Sequence, residues 1–287
     1  MPSLIDMRRR IRSVKNTQQI TKAMKMVSAA KLRRAQSRVV ASRPYGALLR
    51  TVLANVAAAA PGNGDGEGSN PLLARRTEAC ILLVAITSDK GLAGAFNANL
   101  IKGAQHFMAD RAGAAVQLEL IGRKGRDFFR KRRANISGEH VGLAAKAAYD
   151  DTAAIARKAM DLYRNQEIDA VYLLYNEFKS VSSQKLTVER VLPVEISEQA
   201  APVDYIFDQP PAEMLADLLP RYVETEFYRA LLESTASEHA ARMLAMEAAT
   251  SNAGEMIEKL TLFMNRVRQA SITKEIIEVV SGAASAE

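Results

Sequence analysis

The residues best suited to chemistry are few and scattered. The chain has three histidines, His106, His140 and His239, and a single cysteine, Cys80. The histidines lack the short spacings that set two ligands on one metal. A lone cysteine excludes an internal disulfide and a cysteine-rich metal site. Cys80 lies in the apolar run Ala79-Cys80-Ile81-Leu82-Leu83-Val84, a buried-strand pattern in which a thiol behaves as a small hydrophobe. No Ser/His/Asp arrangement and no carboxylate cluster can be placed, so the sequence points to a chain with no catalytic residues, no metal and no cofactor.

Two segments invite a ligand. Thr87-Ser88-Asp89-Lys90-Gly91-Leu92-Ala93-Gly94-Ala95 follows a strand and opens a helix, where phosphate-binding loops sit in α/β proteins. It has neither the Gly-Lys-Ser/Thr ending of a Walker loop nor three spaced glycines. The expectation is a tight turn capped by Ser88 or Asp89. The second, Arg123-Lys124-Gly125-Arg126-Asp127-Phe128-Phe129-Arg130-Lys131-Arg132-Arg133, mixes cations with two aromatics as nucleic-acid binders do. No recognised nucleic-acid motif surrounds it, and a solvated face with the Phe pair turned inward is expected.

The elements that position these residues fall into three blocks. Residues 3–59 read as one long helix, with Pro44 inside it and apolar Ile11, Val14, Ile20, Met24 and Val27 recurring mostly at three-to-four-residue intervals. Pro61-Gly62-Asn63-Gly64-Asp65-Gly66 stops it, and 61–78 reads as a flexible loop. Residues 79–209 alternate apolar runs at Cys80–Ile86, Val116–Ile121 and Ala170–Tyr175, and a fourth strand at Gln184–Val191, with helices over Phe96–Arg111 and Leu143–Asn165. That alternation predicts a parallel, Rossmann-like α/β sheet.

From 210 to 287 the pattern is helical again, with Pro220 near its start and a stripe of Leu231, Met243, Leu244, Met256, Leu260, Phe263 and Val267. At about 1.5 Å per residue such a helix measures roughly 105 Å, a length that points to a coiled coil.

Charge says what pairs with what. The net charge is +7, but residues 1–50 carry 13 Lys/Arg against the single acid Asp6. Residues 211–287 carry 12 Asp/Glu against 7 Lys/Arg. The termini should therefore meet as a long antiparallel coiled coil, 1–60 against 210–287, with the α/β domain inserted between them. The C-terminal helix is the longer, so one end is expected to continue unpaired. No apolar run reaches the 18 or so residues of a membrane span, and Met1–Arg12 lacks the apolar core of a secretory signal. A basic helix of this kind is also a candidate for DNA or an anionic surface, but the leucine heptads of a zipper are missing after it.

The two ends closely resemble the gamma subunit of F-type ATP synthases. Ile11-Arg12-Ser13-Val14-Lys15-Asn16-Thr17-Gln18-Gln19-Ile20-Thr21-Lys22-Ala23-Met24-Lys25-Met26-Val27 looks like that family's first helix. Ile272-Thr273-Lys274-Glu275-Ile276-Ile277-Glu278-Val279-Val280-Ser281-Gly282-Ala283-Ala284-Ser285 matches its C-terminal signature. The resemblance implies a rotating shaft inside a ring of alpha and beta subunits, seated on the epsilon subunit and the ring of c subunits, with no nucleic acid as partner. It implies that ion-driven rotation is coupled to ATP synthesis at sites that belong to alpha and beta. By motif it assigns contact with the ring to Met24 and Lys25 on the first helix, and to Arg242, Arg268, Gln269, Thr273 and Glu275 on the last, Arg242 facing Met24. The paired regulatory cysteines of the chloroplast form are absent. With no evident transit peptide, this favours a bacterial protein held peripherally on the cytoplasmic side of the plasma membrane.

Overall fold

The computed structural model describes residues 4–59, 70–196 and 208–284. The elements run α1 (Leu4–Ala59), β1 (Cys80–Ile86), α2 (Phe96–Asp110), β2 (Ala115–Ile121), α3 (Arg123–Lys131), β3 (Ile136–His140), α4 (Leu143–Lys146), α5 (Tyr149–Arg164), β4 (Ala170–Phe178), β5 (Gln184–Leu192) and α6 (Pro211–Ala284). They form two compact units, one of residues up to 28 with those from 243, the other of residues 29–242.

In the larger unit a five-stranded sheet has the order β3-β2-β1-β4-β5. β1 pairs in parallel with β2 and β4, and β2 with β3. Both faces of β1 are covered, since Ile81 to Ile86 are all at most 2% exposed, which is why its sequence is an unbroken apolar run. One face packs on Phe96, Leu100, Ala104 and Phe107 of α2. Gly103 lets α2 lie close: a Cβ there would sit 2.7 Å from Leu186 Cδ2 of β5.

Several expectations need correction. The sheet is not wholly parallel, because β5 pairs antiparallel with β4. Only residues 179–183 join them, closed by Ser180–Ser183 hydrogen bonds, too short a link for a parallel crossover. The basic segment is a helix, α3, with Phe129 buried, Phe128 half-buried and Arg132 over the Phe128 ring at 3.7 Å. The strand β3 lies in Ile-Ser-Gly-Glu-His, a run with almost no apolar signal.

The helix expected over 143–165 is two, broken where Ala147 takes φ +44. Residues 60–69 of the expected loop lie outside the described residues, and 70–78 are tied down. There Leu72 is fully buried, its carbonyl accepts from Val194 N, and Arg76 donates to the Tyr163 carbonyl.

In the smaller unit the two helices run antiparallel. The side chains of α1 turned inward include Leu4, Met7, Ile11, Val14, Gln18, Thr21, Lys25 and Ser28. Those of α6 include Met246, Thr250, Ala253, Ile257, Leu260, Met264, Val267 and Ser271. Both sets step by alternating threes and fours, the heptad period of a left-handed coiled coil. Ile20, Val27, Met256 and Phe263, expected in the apolar stripe, instead face outward and are 46–60% exposed. The reason is period: the seam follows 3.5 residues, whereas each of those four lies one position off it.

The middle of the seam is polar. Gln18 donates to the Thr250 carbonyl at 3.3 Å, the Thr21 and Thr250 hydroxyls meet at 2.8 Å, and Lys25 Nζ lies 2.6 Å from Glu247 Oε1. Arg8, Arg9 and Arg12 share a groove with Thr261 and Met264. In this register Leu4 is level with the turn holding Val267, and beyond Ser271 every side chain to Ser281 is exposed.

Candidate functional site

An open α/β sheet offers a ligand the crevice at the carboxyl ends of its strands, where the strand order reverses. Here that point lies between β1 and β4, and α6 occupies it. Ser234 Oγ donates to the carbonyl of Ile86, the last residue of β1, at 3.2 Å. Ser237 Oγ donates to the Asn176 carbonyl of β4 at 2.9 Å, and Glu233 accepts from Phe178 N at 3.0 Å. The groups that would greet a ligand are spent on the chain's own helix.

The Thr87–Ala95 turn is closed in the same way. Thr87 and Ser88 are buried; Ser88 N donates to Asn97 Oδ1 at 3.0 Å, and Thr87 Oγ1 accepts from Gly125 N at 2.9 Å. Contrary to expectation, neither Ser88 nor Asp89 caps α2, whose N-cap Ala95 has no side-chain bond. Asp89 instead accepts from Arg123 N at the start of α3 and from Gly142 N, each at 3.1 Å.

Arg242 sits over this turn. It is 9% exposed, and its guanidinium donates to the Lys90 and Gly91 carbonyls at 3.3–3.4 Å, pairs with Glu238 at 2.8 Å and reaches His239 Nδ1 at 3.4 Å. Burial outweighs Arg242 for Glu238, whose carboxyl is pushed above its ordinary range. Burial, with Arg242 and Lys31 nearby, holds the His239 imidazole down at about 4.

Farther along α6, buried acids grip α1. Glu233 pairs with Arg43 at 3.1 Å while holding Phe178 N, and Glu226 pairs with Arg50 at 3.0 Å and with Arg229 at 2.5 Å. Arg229 also donates to Glu189 and to the Tyr175 hydroxyl. Burial opposes the Arg229 charge, but Glu226, Tyr175 and Glu189 raise its pKa further. Opposite charge on the two terminal segments thus becomes named pairs. The serines and acids of 226–238 carry no motif, and their signal is polar residues inside a helical stretch buried almost all round.

The residues assigned by resemblance fall into three places. Met24 and Lys25 are half-buried beside the polar seam. Arg242 is buried and committed to the turn. Arg268, Gln269, Thr273 and Glu275 are exposed on the stretch of α6 that leads into its unpaired end, where Thr273 Oγ1 donates to the Gln269 carbonyl at 2.9 Å. Among the described residues no group of His, Cys, Asp or Glu is placed to hold a metal.

The chain thus combines an α/β unit whose crevice is filled by its own helix with a unit built from an antiparallel helix pair. The chain matches the family model described as ATP synthase over residues 3–286. It is 75% identical over 287 residues to the ATP synthase gamma chain of Solibacter usitatus, covering all of both chains. It is 52% identical to that of an Anaeromyxobacter species, covering 99% of each.

Two solved structures are similar. A chain of the Tetrahymena thermophila mitochondrial ATP synthase central stalk and c-ring matches with TM-score 0.62 and 26% identity, over 80% of this chain and 99% of that one. A chain of the Euglena gracilis enzyme shares the fold with TM-score 0.70 at 19% identity, over 98% of this chain and 94% of that one. The chain belongs to the ATP synthase gamma-chain family.

Proposed function

We infer that this chain is the central rotor of an F-type ATP synthase, coupling ion-driven rotation of the c ring to ATP synthesis on the alpha and beta subunits. The observation that carries the reading is the end-to-end identity with gamma chains; the closed crevice explains why such a chain does no chemistry. Its partners are the alpha and beta subunits, the epsilon subunit and the c ring. Among the described residues no helix is long and apolar enough to cross a membrane, so the chain is held peripherally through those partners, on the cytoplasmic side of a bacterial plasma membrane.

The contact residues divide by exposure. Arg268, Gln269, Thr273 and Glu275 are free to touch ring loops, and exposed Ile276, Ile277, Val279 and Val280 supply an apolar end to seat in the ring. Lys25 and the α1 cations offer acidic partners a charged contact that tolerates rotation, since Coulomb attraction varies smoothly with angle. Arg242 works as a positioning residue through the Lys90–Gly91 turn, and Met24 through packing beside the seam.

The test reverses Lys25, Lys31, Arg33 and Arg34 to Glu, which keeps helix propensity nearly unchanged. The complex should assemble, while ATP hydrolysis falls or uncouples from ion pumping as attraction turns repulsive. Full coupled turnover in that variant would remove the basic face from the mechanism.

A further inference from the structure

A cavity of about 270 Å³ opens between α1, the turn after β1, α4 and α6. Five cations line it, among apolar and neutral side chains. Lys31, Arg34 and Arg38 stand on successive turns of one exposed α1 face, Lys90 enters from the turn, and Arg242 and His239 from α6. Two carboxylates also line it, and both are committed elsewhere: Asp89 to the Arg123 and Gly142 amides, Glu238 to Arg242.

Lys31, Arg34 and Lys90 have no ion-pair partner among the described residues. Because Arg242 donates to His239 Nδ1, the neutral ring carries its proton on Nε2 and has a donor to offer; His239 lines the cavity. Burial and the neighbouring Arg242 and Lys31 keep that ring neutral down to about pH 4.

The cavity therefore sets five cations against two carboxylates and keeps an excess of positive charge. Its volume is below the roughly 300–1,000 Å³ of pockets that enclose drug-sized ligands, which favours an anion of few atoms. Planar guanidinium forks on two turns of one helix suit tetrahedral oxyanions in particular.

We propose that this cavity binds a small multivalent oxyanion of the phosphate type, clasped by Lys31, Arg34 and Arg38 on one side and by Lys90 and His239 on the other. The bound anion replaces mutual repulsion among these cations with a bridge joining α1, the β1–α2 turn and α6. It also lowers the positive charge that this face of α1 presents. The phosphoryl group has two possible sources, free phosphate or the phosphates of a nucleotide.

The experiment titrates the isolated full chain with inorganic phosphate, holding ionic strength constant with chloride, and follows the histidine ring resonances. A saturable shift of His239, with exposed His106 unmoved, is expected. Arg34→Gln with Arg38→Gln should weaken binding at least tenfold, and Lys31→Gln alone by less. Arg8→Gln with Arg9→Gln removes the same charge from a distant part of α1 and should change affinity less than twofold. All are exposed helical positions, and far-UV circular dichroism checks that folding is kept.

A second arm uses ADP. Displacement of phosphate by ADP at similar affinity keeps the ligand class and assigns the source to a nucleotide, whereas no displacement assigns it to the free anion. A shift that never saturates, equal weakening by the two double variants, or a response to ADP alone overturns the proposal. None of these readouts depends on the rotor reading.

Discussion

Arg242 and its neighbours show how one buried guanidinium can hold a turn in place. Its donors complete two carbonyls of the Thr87–Ala95 segment and neutralise a buried carboxylate, and removing one partner of such a group is what makes buried pairs costly to break. The neighbouring His239 gives a measurable signature. Its folded value of about 4 lies below the ordinary 6.5, so the unfolded chain binds more protons between those values.

The His239 contribution is thus fully present above pH 6.5 and is lost as pH falls through about 4. Glu238 acts with the opposite sign: its raised value contributes stability at low pH that is lost as pH rises. Comparing His239→Gln with the parent leaves Glu238 in both chains. The variant should lose less stability between pH 6.5 and 4, by roughly 2 kcal/mol. Urea denaturation at several pH values measures it; parallel pH profiles for the two chains would show that His239 is not held neutral.

At the scale of elements, the helix pair of the smaller unit is specified by polar contacts in the middle of its seam. Apolar side chains fill the end where Leu4, Met7, Ile11 and Val14 turn inward, but Gln18, Thr21, Lys25 and Thr250 sit where Leu or Ile would stabilise more. Buried or half-buried polar pairs of this kind restrict register, since a slip of one heptad leaves them facing apolar neighbours. Replacing Thr21 and Thr250 by cysteine, with Cys80→Ser to remove the native thiol, should give a disulfide within one chain. The two hydroxyl oxygens are 2.8 Å apart, which places their Cβ atoms near bridging range. A non-reducing gel and mass spectrometry decide the matter, and disulfide-linked dimers alone would assign the helix pairing to two different chains.

For the whole molecule, stability and coupling should separate along α6. Residues 226–242 are packed into the larger unit, whereas side chains 272–280 are exposed. Among the described side chains, truncating the chain before Ile272 removes exposed groups only. The isolated protein should therefore keep its thermal midpoint within about 2 °C, because exposed substitutions cost little. The same truncation in the assembled complex should reduce coupled hydrolysis, since the apolar end and Thr273 and Glu275 are lost together. A fall of 5 °C or more would mean that this end is part of the fold rather than a contact surface.

Much of this was legible in the sequence because it follows from local pattern. Cys80–Ile86 had to be a buried strand, since only a strand covered on both faces tolerates an unbroken apolar run. The two terminal helices follow from composition, and their pairing from opposite charge.

Three things were decided only by tertiary structure. Which residues face the seam depends on a 3.5-residue period set by the partner helix, so Ile20 and Phe263 turned outward despite their apolarity. The direction of β5 was settled by the length of its connection to β4, and the existence of β3 by an edge vacancy beside β2 rather than by its own weak propensity. The closing of the ligand crevice depends on Ser234, Ser237 and Arg242 meeting carbonyls about 60 to 150 residues away in sequence. No local pattern encodes hydrogen bonds between segments so far apart; they exist only once the sheet has brought its strand ends to the helix.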